Sequence, residues 1–218
     1  MPTTALSLFR FSFPRVLLFS YLNTLRNALR GCDTCLDIGC GPSSPITTLN
    51  FRQSLGVEGF PAALEVAKEN HTHTDFLQAR AQDVGKHFSK GSFDCCVALD
   101  LIEHLTKEEG LTLIKDMERI ASKTIAVFTP NGFLPQQSHH SDLQEHLSGW
   151  EPAEMRSLGF TVYGMHGLKS LRGEEHKHRI RPQALSGVIS SLSHYAYTKN
   201  HPERAAAILC VKSVGPNR

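Results

Sequence analysis

The chain has 218 residues, 40% of them hydrophobic and 20% charged, with a formal net charge of +2. That length suffices for one α/β domain with a substantial core, and the proportions are those of an ordinary globular protein. Charge so near balance carries no polyphosphate-binding footprint, so no nucleic-acid partner is expected.

Residues 1–30 contain Arg10, Arg15, Arg26 and Arg30, many Phe and Leu, and no acid. This is expected to be an N-terminal helical segment lying on the domain or on a partner. Organelle targeting is the lesser alternative. Its longest apolar run, "VLLFSYL" at 16–22, is too short to span a bilayer. The six cysteines lie mostly within apolar runs, as small buried hydrophobes do, which favours a reducing, cytoplasmic location. Cys32 and Cys35 form a CxxC, but a lone pair of this kind is weak support for zinc.

From residue 31 onward strands and helices alternate. "TCLDIG" reads as the first strand, and Pro45 opens a short helix capped by Ser43 or Ser44. "SLGVEG" is the second strand, ending on Glu58, and Pro61 opens the helix "PAALEVAKEN". "DFLQA" is the third strand. "FDCCVALD", a continuous apolar run at 93–100, is a strand buried on both faces. In "KEEGLTLIKDMERIA" apolar residues recur three apart, giving one helical face, and "TIAVFTP" is the fifth strand, stopped by Pro130. Such alternation predicts a doubly wound, mostly parallel sheet whose ligands sit beyond the carboxyl ends of the strands. Asp37 to Gly41, Glu58, Asp100 and Thr129 to Gly132 all fall at such ends.

After Pro130 a polar loop, the short helix "WEPAEMRSLG" and the strands "FTVYGM" and "AAAILCVKSV" follow. Between these strands, residues 167–204 form an insertion with a basic, His-rich stretch and a predicted helix, "PQALSGVISSLSHYAYTK". The whole of 31–218 is therefore expected to be one domain.

The loop "CLDIGCGPSSPI", residues 35–46, carries the most chemistry. It lacks the Lys and Ser/Thr of a P-loop, and it lacks the third glycine of a dinucleotide fingerprint. Taken alone, its glycine pair does not choose between a nicotinamide dinucleotide, S-adenosylmethionine and a ligand-free turn.

"LDIGCG" resembles the first motif of the class I S-adenosylmethionine-dependent methyltransferases. The resemblance continues through "VEGFPAALEVAKEN", "GSFDCCVALDLIEHL", "TPNGF" and "SGWEPAEMRSLGF". It implies a Rossmann-like seven-stranded sheet closed by a C-terminal antiparallel hairpin, with S-adenosyl-L-methionine as cofactor and S-adenosyl-L-homocysteine as product. By the same resemblance the cofactor site comprises Asp37, Gly39, Cys40, Gly41, Glu58, Gly59, Asp83, Leu99 and Asp100. Asp37 would face the cofactor's amino group, directly or through water, and Glu58 would accept from the ribose hydroxyls. The adenine contact is less defined, because Arg80 stands where related sequences often have Asp; Asp83 and Gln82 are the alternatives.

For catalysis the candidates are His104, His139 and His146, each also readable as a packing or solvated histidine. Asn131, His146 and Trp150 are candidates for acceptor contact, Trp150 reading first as a packing anchor. No spacing matches HExxH, and no metal is expected. The implied function is methyl transfer to a small-molecule or glycan-like acceptor. The alternative is a non-catalytic regulatory protein that retains the cofactor pocket.

Overall fold

The computed structural model describes residues 13–135, 145–171 and 197–215. His139, the His-rich stretch at 176–181 and most of the helix expected in the insertion lie outside the described residues. Seven strands form one sheet in the order β3-β2-β1-β4-β5-β7-β6: β1 Thr34–Ile38, β2 Gln53–Glu58, β3 Asp75–Gln78, β4 Phe93–Leu99, β5 Ala121–Pro130, β6 Thr161–Leu168 and β7 Ala205–Ser213. The first five run parallel. β7 lies antiparallel to β5, and β6 antiparallel to β7, which is the expected closing hairpin.

The helices are α1 Phe13–Ala28, α2 Pro61–Glu69, α3 Val84–His87, α4 Lys107–Ile120 and α5 Pro152–Ser157. From Cys95 onward the apolar run of β4 divides by parity, while Phe93, before a register shift against β5, joins the core of the even positions. Cys96 and Ala98 join the core beneath α4, where Leu113, Ile114, Met117 and Ile120 pack. Cys95, Val97 and Leu99 face the opposite core, covered by Tyr21, Leu25 and Leu29 around α1. The alternation of side chains across a strand explains why the run has to be apolar throughout. Tyr21 lies 4.7 Å from the Phe128 ring, so α1 seats directly on the sheet. No helix among the described residues is long and apolar enough to cross a membrane.

Local signals set the ends of these elements. Thr106 caps α4 by accepting from the Glu109 amide, and Glu109 answers at the Thr106 amide, a reciprocal capping box. Ser44 caps the short 3-10 turn Pro45–Thr48 by accepting from the Ile46 amide. All six cysteines are buried and free. The hydrogen bond to Cys95 and then burial push the Cys32 thiol far above its ordinary range; the hydrogen bond from Cys32 lowers Cys95, but its bond to Cys35 and burial outweigh that and push it up as well, so both are poor nucleophiles.

A cleft at the strand ends

The carboxyl ends of β1, β2 and β4 open into a cleft of about 240 Å³, whose walls include Gly39, Gly41, Glu58, Gly59, Asp100 and His104. The loop after β1 folds back onto β2, with the Gly39 and Cys40 amides donating to the Val57 carbonyl at 2.8 and 3.1 Å. Gly39 has φ +71°, and a Cβ placed there would stand 2.7 Å from Leu101 Cδ1. The left-handed φ is what favours glycine here; the end of the flexible Leu101 side chain would have to shift to admit a Cβ.

Glu58 ends β2 with its carboxylate on the cleft wall. Its Oε2 accepts from the Gly41 amide at 2.9 Å and its Oε1 from the Phe60 amide at 2.8 Å. A carboxylate offers about four acceptor positions, so two amides leave capacity for a vicinal diol. The apolar floor, formed by Phe60, Ala63, Ala79 and Ala81, suits a flat heteroaromatic ring. The wall carries the acids Glu58 and Asp100 together with Arg80, and the two acids can face a ligand's positive charge. These features fit S-adenosylmethionine.

Asp37 is 1% exposed and stands behind the loop rather than on the wall. Its Oδ2 accepts from the Ser44 hydroxyl at 2.5 Å and from His73 Nε2 at 3.1 Å, while His73 Nδ1 meets Thr72 Oγ1 at 2.9 Å. Asp37 therefore ties the loop after β1, through Ser44, to His73 in the segment before β3. His73 was not singled out in the sequence; Gly56 is the signal that accompanies it, because a Cβ there would meet His73 Nδ1 at 2.9 Å.

The other expected residues divide. Cys40 and Leu99 are buried in the protein interior and do not line the cleft. Asp83 turns away to Lys86, 2.6 Å distant, and Gln82 and Arg80 occupy the wall in its place. Asn131 is buried, and its Nδ2 donates to the carbonyls of Pro202 and Ala205 at 2.9 and 2.7 Å, tying the end of β5 to the start of β7. Trp150 is fully buried; its Nε1 donates to Ser148 Oγ at 3.0 Å, and Lys107 Nζ lies 3.7 Å above the ring. It is the packing anchor of the 145–150 segment.

At the end of β4, Asp100 holds φ +54° and faces the cleft. Burial among the surrounding protein groups raises its carboxyl above the usual range. Glu103 is only 3% exposed and receives the Thr129 hydroxyl on Oε2 at 2.9 Å; burial foremost, then the charge of Asp100, pushes its carboxyl up to about 8. His104 and His146 meet edge to face, with ring centroids 4.8 Å apart.

Residues 36–134 match the model of a methyltransferase domain family. Among solved structures, a SAM-dependent methyltransferase from Archaeoglobus fulgidus is 16% identical, with 94% of this chain and 96% of that one covered at a TM-score of 0.57. The methyltransferase domain of a bacterial CtHen1 protein is 18% identical, with 92% and 100% covered at 0.58. The YcgJ protein of Bacillus subtilis is 11% identical, with 92% and 100% covered at 0.54. At these identities the likeness is one of fold. No curated protein sequence matches the chain.

Proposed function

We propose that this chain, whose residues 36–134 carry a class I S-adenosylmethionine-dependent methyltransferase domain, transfers a methyl group to a small-molecule acceptor. The observation that carries the reading is the cleft itself. A glycine turn, the ribose-competent carboxylate of Glu58 and the acid of Asp100 meet at the carboxyl ends of parallel strands. S-adenosylmethionine, the cofactor of this fold, supplies an electrophilic sulfonium methyl when bound.

The chain's residues then have distinct tasks. Glu58 holds the ribose diol, and the amides of the Gly39–Gly41 turn keep the backbone close to the ligand. Asp37, through Ser44 and His73, fixes the turn in place. Asp100 offsets positive charge on the ligand, and Leu101 and Leu105 exclude water from that side of the cleft. His104, on the wall, is the candidate for meeting the acceptor, which must lie in line with the donor for transfer to proceed.

Isothermal titration calorimetry on the purified full chain tests this directly. S-adenosylmethionine and S-adenosylhomocysteine should bind near micromolar dissociation constants, roughly −8 kcal/mol, with no binding of NAD. Radiolabelled methyl transfer into a fraction of a small-molecule extract then separates an enzyme from a cofactor-binding regulator. Tight NAD binding without S-adenosylhomocysteine binding refutes the proposal.

A further inference from the structure

We infer that Glu103, His104 and His146 form a binding site for a divalent transition-metal ion at the wall of the cofactor cleft. One potential ligand atom from each of the three lies within 4.8 Å of the others, and no other such group of three occurs among the described residues. The spacing suits donors arranged around one ion: two atoms each about 2.0–2.2 Å from a metal stand at most about 4.4 Å apart, so only a small closure is required.

The grouping is built by the main chain. Glu103 and His104 share the 3-10 turn Ile102–His104 that follows β4. The segment bearing His146 is stitched onto that turn: the Leu147 and Ser148 amides both donate to the Glu103 carbonyl, at 2.7 and 3.1 Å. Trp150 anchors its far end through Ser148 and the Ile102 carbonyl.

Each imidazole is held through its Nδ1. His146 Nδ1 lies 2.7 Å from the Leu134 carbonyl and His104 Nδ1 lies 3.1 Å from the Glu145 carbonyl. A carbonyl only accepts, so each ring donates Nδ1–H and, when neutral, carries its lone pair on Nε2. Main-chain carbonyls in this role set the tautomer and raise the basicity of metal-binding histidines.

Glu103 supplies the charge. It is buried, Thr129 fixes one carboxylate oxygen, and no Lys or Arg pairs with it among the described residues. An ionised carboxylate in such a place is costly unless a cation is near. Two imidazoles and one carboxylate are a borderline N/O donor set. They suit Zn²⁺, Mn²⁺ or Fe²⁺ over the all-oxygen preference of Ca²⁺ and Mg²⁺.

Three protein ligands leave further positions open, and His104 places the ion beside the cleft. There it would act as a Lewis acid that eases loss of the proton from an acceptor hydroxyl. That role rests on the methyl-transfer reading; the binding of the ion does not.

Chelator-treated full chain, titrated with Zn²⁺ by calorimetry and with Mn²⁺ by electron paramagnetic resonance, should bind one ion per chain. His146→Ala and Glu103→Gln should each weaken Zn²⁺ binding at least ten-fold, while His146→Ala leaves S-adenosylhomocysteine affinity within two-fold as a check of the fold. X-ray absorption on the zinc-loaded wild type, which needs no variant, should show two imidazole ligands and no sulfur. Absence of stoichiometric binding, a sulfur shell from the cysteines, or unchanged affinity in folded variants overturns the metal site and leaves the histidines as a packed aromatic pair. S-adenosylhomocysteine binding without metal binding rejects this inference alone, and metal binding without S-adenosylhomocysteine binding rejects the methyltransferase reading alone.

Discussion

Removing the Glu58 carboxylate tests the cofactor cleft where the structure gives it two separable tasks. In Glu58→Ala the Gly41 and Phe60 amides lose their acceptor, and a bound ribose loses its own. The amides lie at a half-exposed position on the cleft wall, where water can replace the carboxylate, so the cost to folding should be only about 1 kcal/mol. For a domain of this size that lowers the melting temperature by roughly 2–4 °C. Water cannot replace the carboxylate under a bound ligand. Hydrogen bonds to a charged acceptor contribute about 1.5–3 kcal/mol each, and part of that is recovered by the ligand's own solvation. A net loss of about 2–3 kcal/mol, or roughly 30- to 150-fold in S-adenosylhomocysteine affinity, is expected. Calorimetry gives the affinity and scanning fluorimetry the stability. Unchanged affinity with a lowered melting temperature would reduce Glu58 to a brace for the loop and refute its place in ribose binding.

Three other substitutions probe the support of the site. Gly39→Ala combines a φ of +71° with a Cβ 2.7 Å from Leu101; it should cost about 1–3 kcal/mol and weaken S-adenosylhomocysteine binding, and full retention of both in melts and titrations would show that the loop adjusts freely. His73→Leu strips a buried partner from Asp37 and should destabilise by about 1–3 kcal/mol in urea unfolding, since Asp37 and Thr72 are left short of bonds; a neutral outcome would mean that Ser44 alone holds the loop. Trp150→Ala empties a fully buried site under Lys107 and should cost about 3–5 kcal/mol. A Trp150 variant that lost acceptor turnover without losing stability would return the indole to the acceptor side of the cleft.

Local patterns were enough for most of the architecture. Proline and serine at the helix starts, the unbroken apolar run of β4 and the three-apart apolar face of α4 each report on neighbouring residues alone, so strand and helix positions were readable. The order of motifs from "LDIGCG" to "SGWEPAEMRSLGF" was enough to imply the sheet, its closing hairpin and the cleft-lining Gly39, Gly41, Glu58 and Asp100. What the sequence could not settle was where a side chain points once its strand end is packed. Asp37 and Asp100 both follow apolar runs at strand ends, yet one is sealed behind the loop with His73 and the other faces the cleft. Asp83 and Gln82 are adjacent, yet Gln82 lines the cleft while Asp83 pairs with Lys86 outside it. Asn131 reads as a loop residue, yet its amide is held in the interior by the Ala205 carbonyl of β7, while Trp150 is the packing anchor its sequence suggested, tied to the turn after β4. Glu103, His104 and His146 show no metal spacing along the chain; hydrogen bonds from the Leu147 and Ser148 amides to the Glu103 carbonyl bring them together. Periodicity and turn chemistry are properties of nearby residues and survive in one dimension. The meeting of groups far apart in the chain depends on how packed elements orient their ends, and only the tertiary structure decides it.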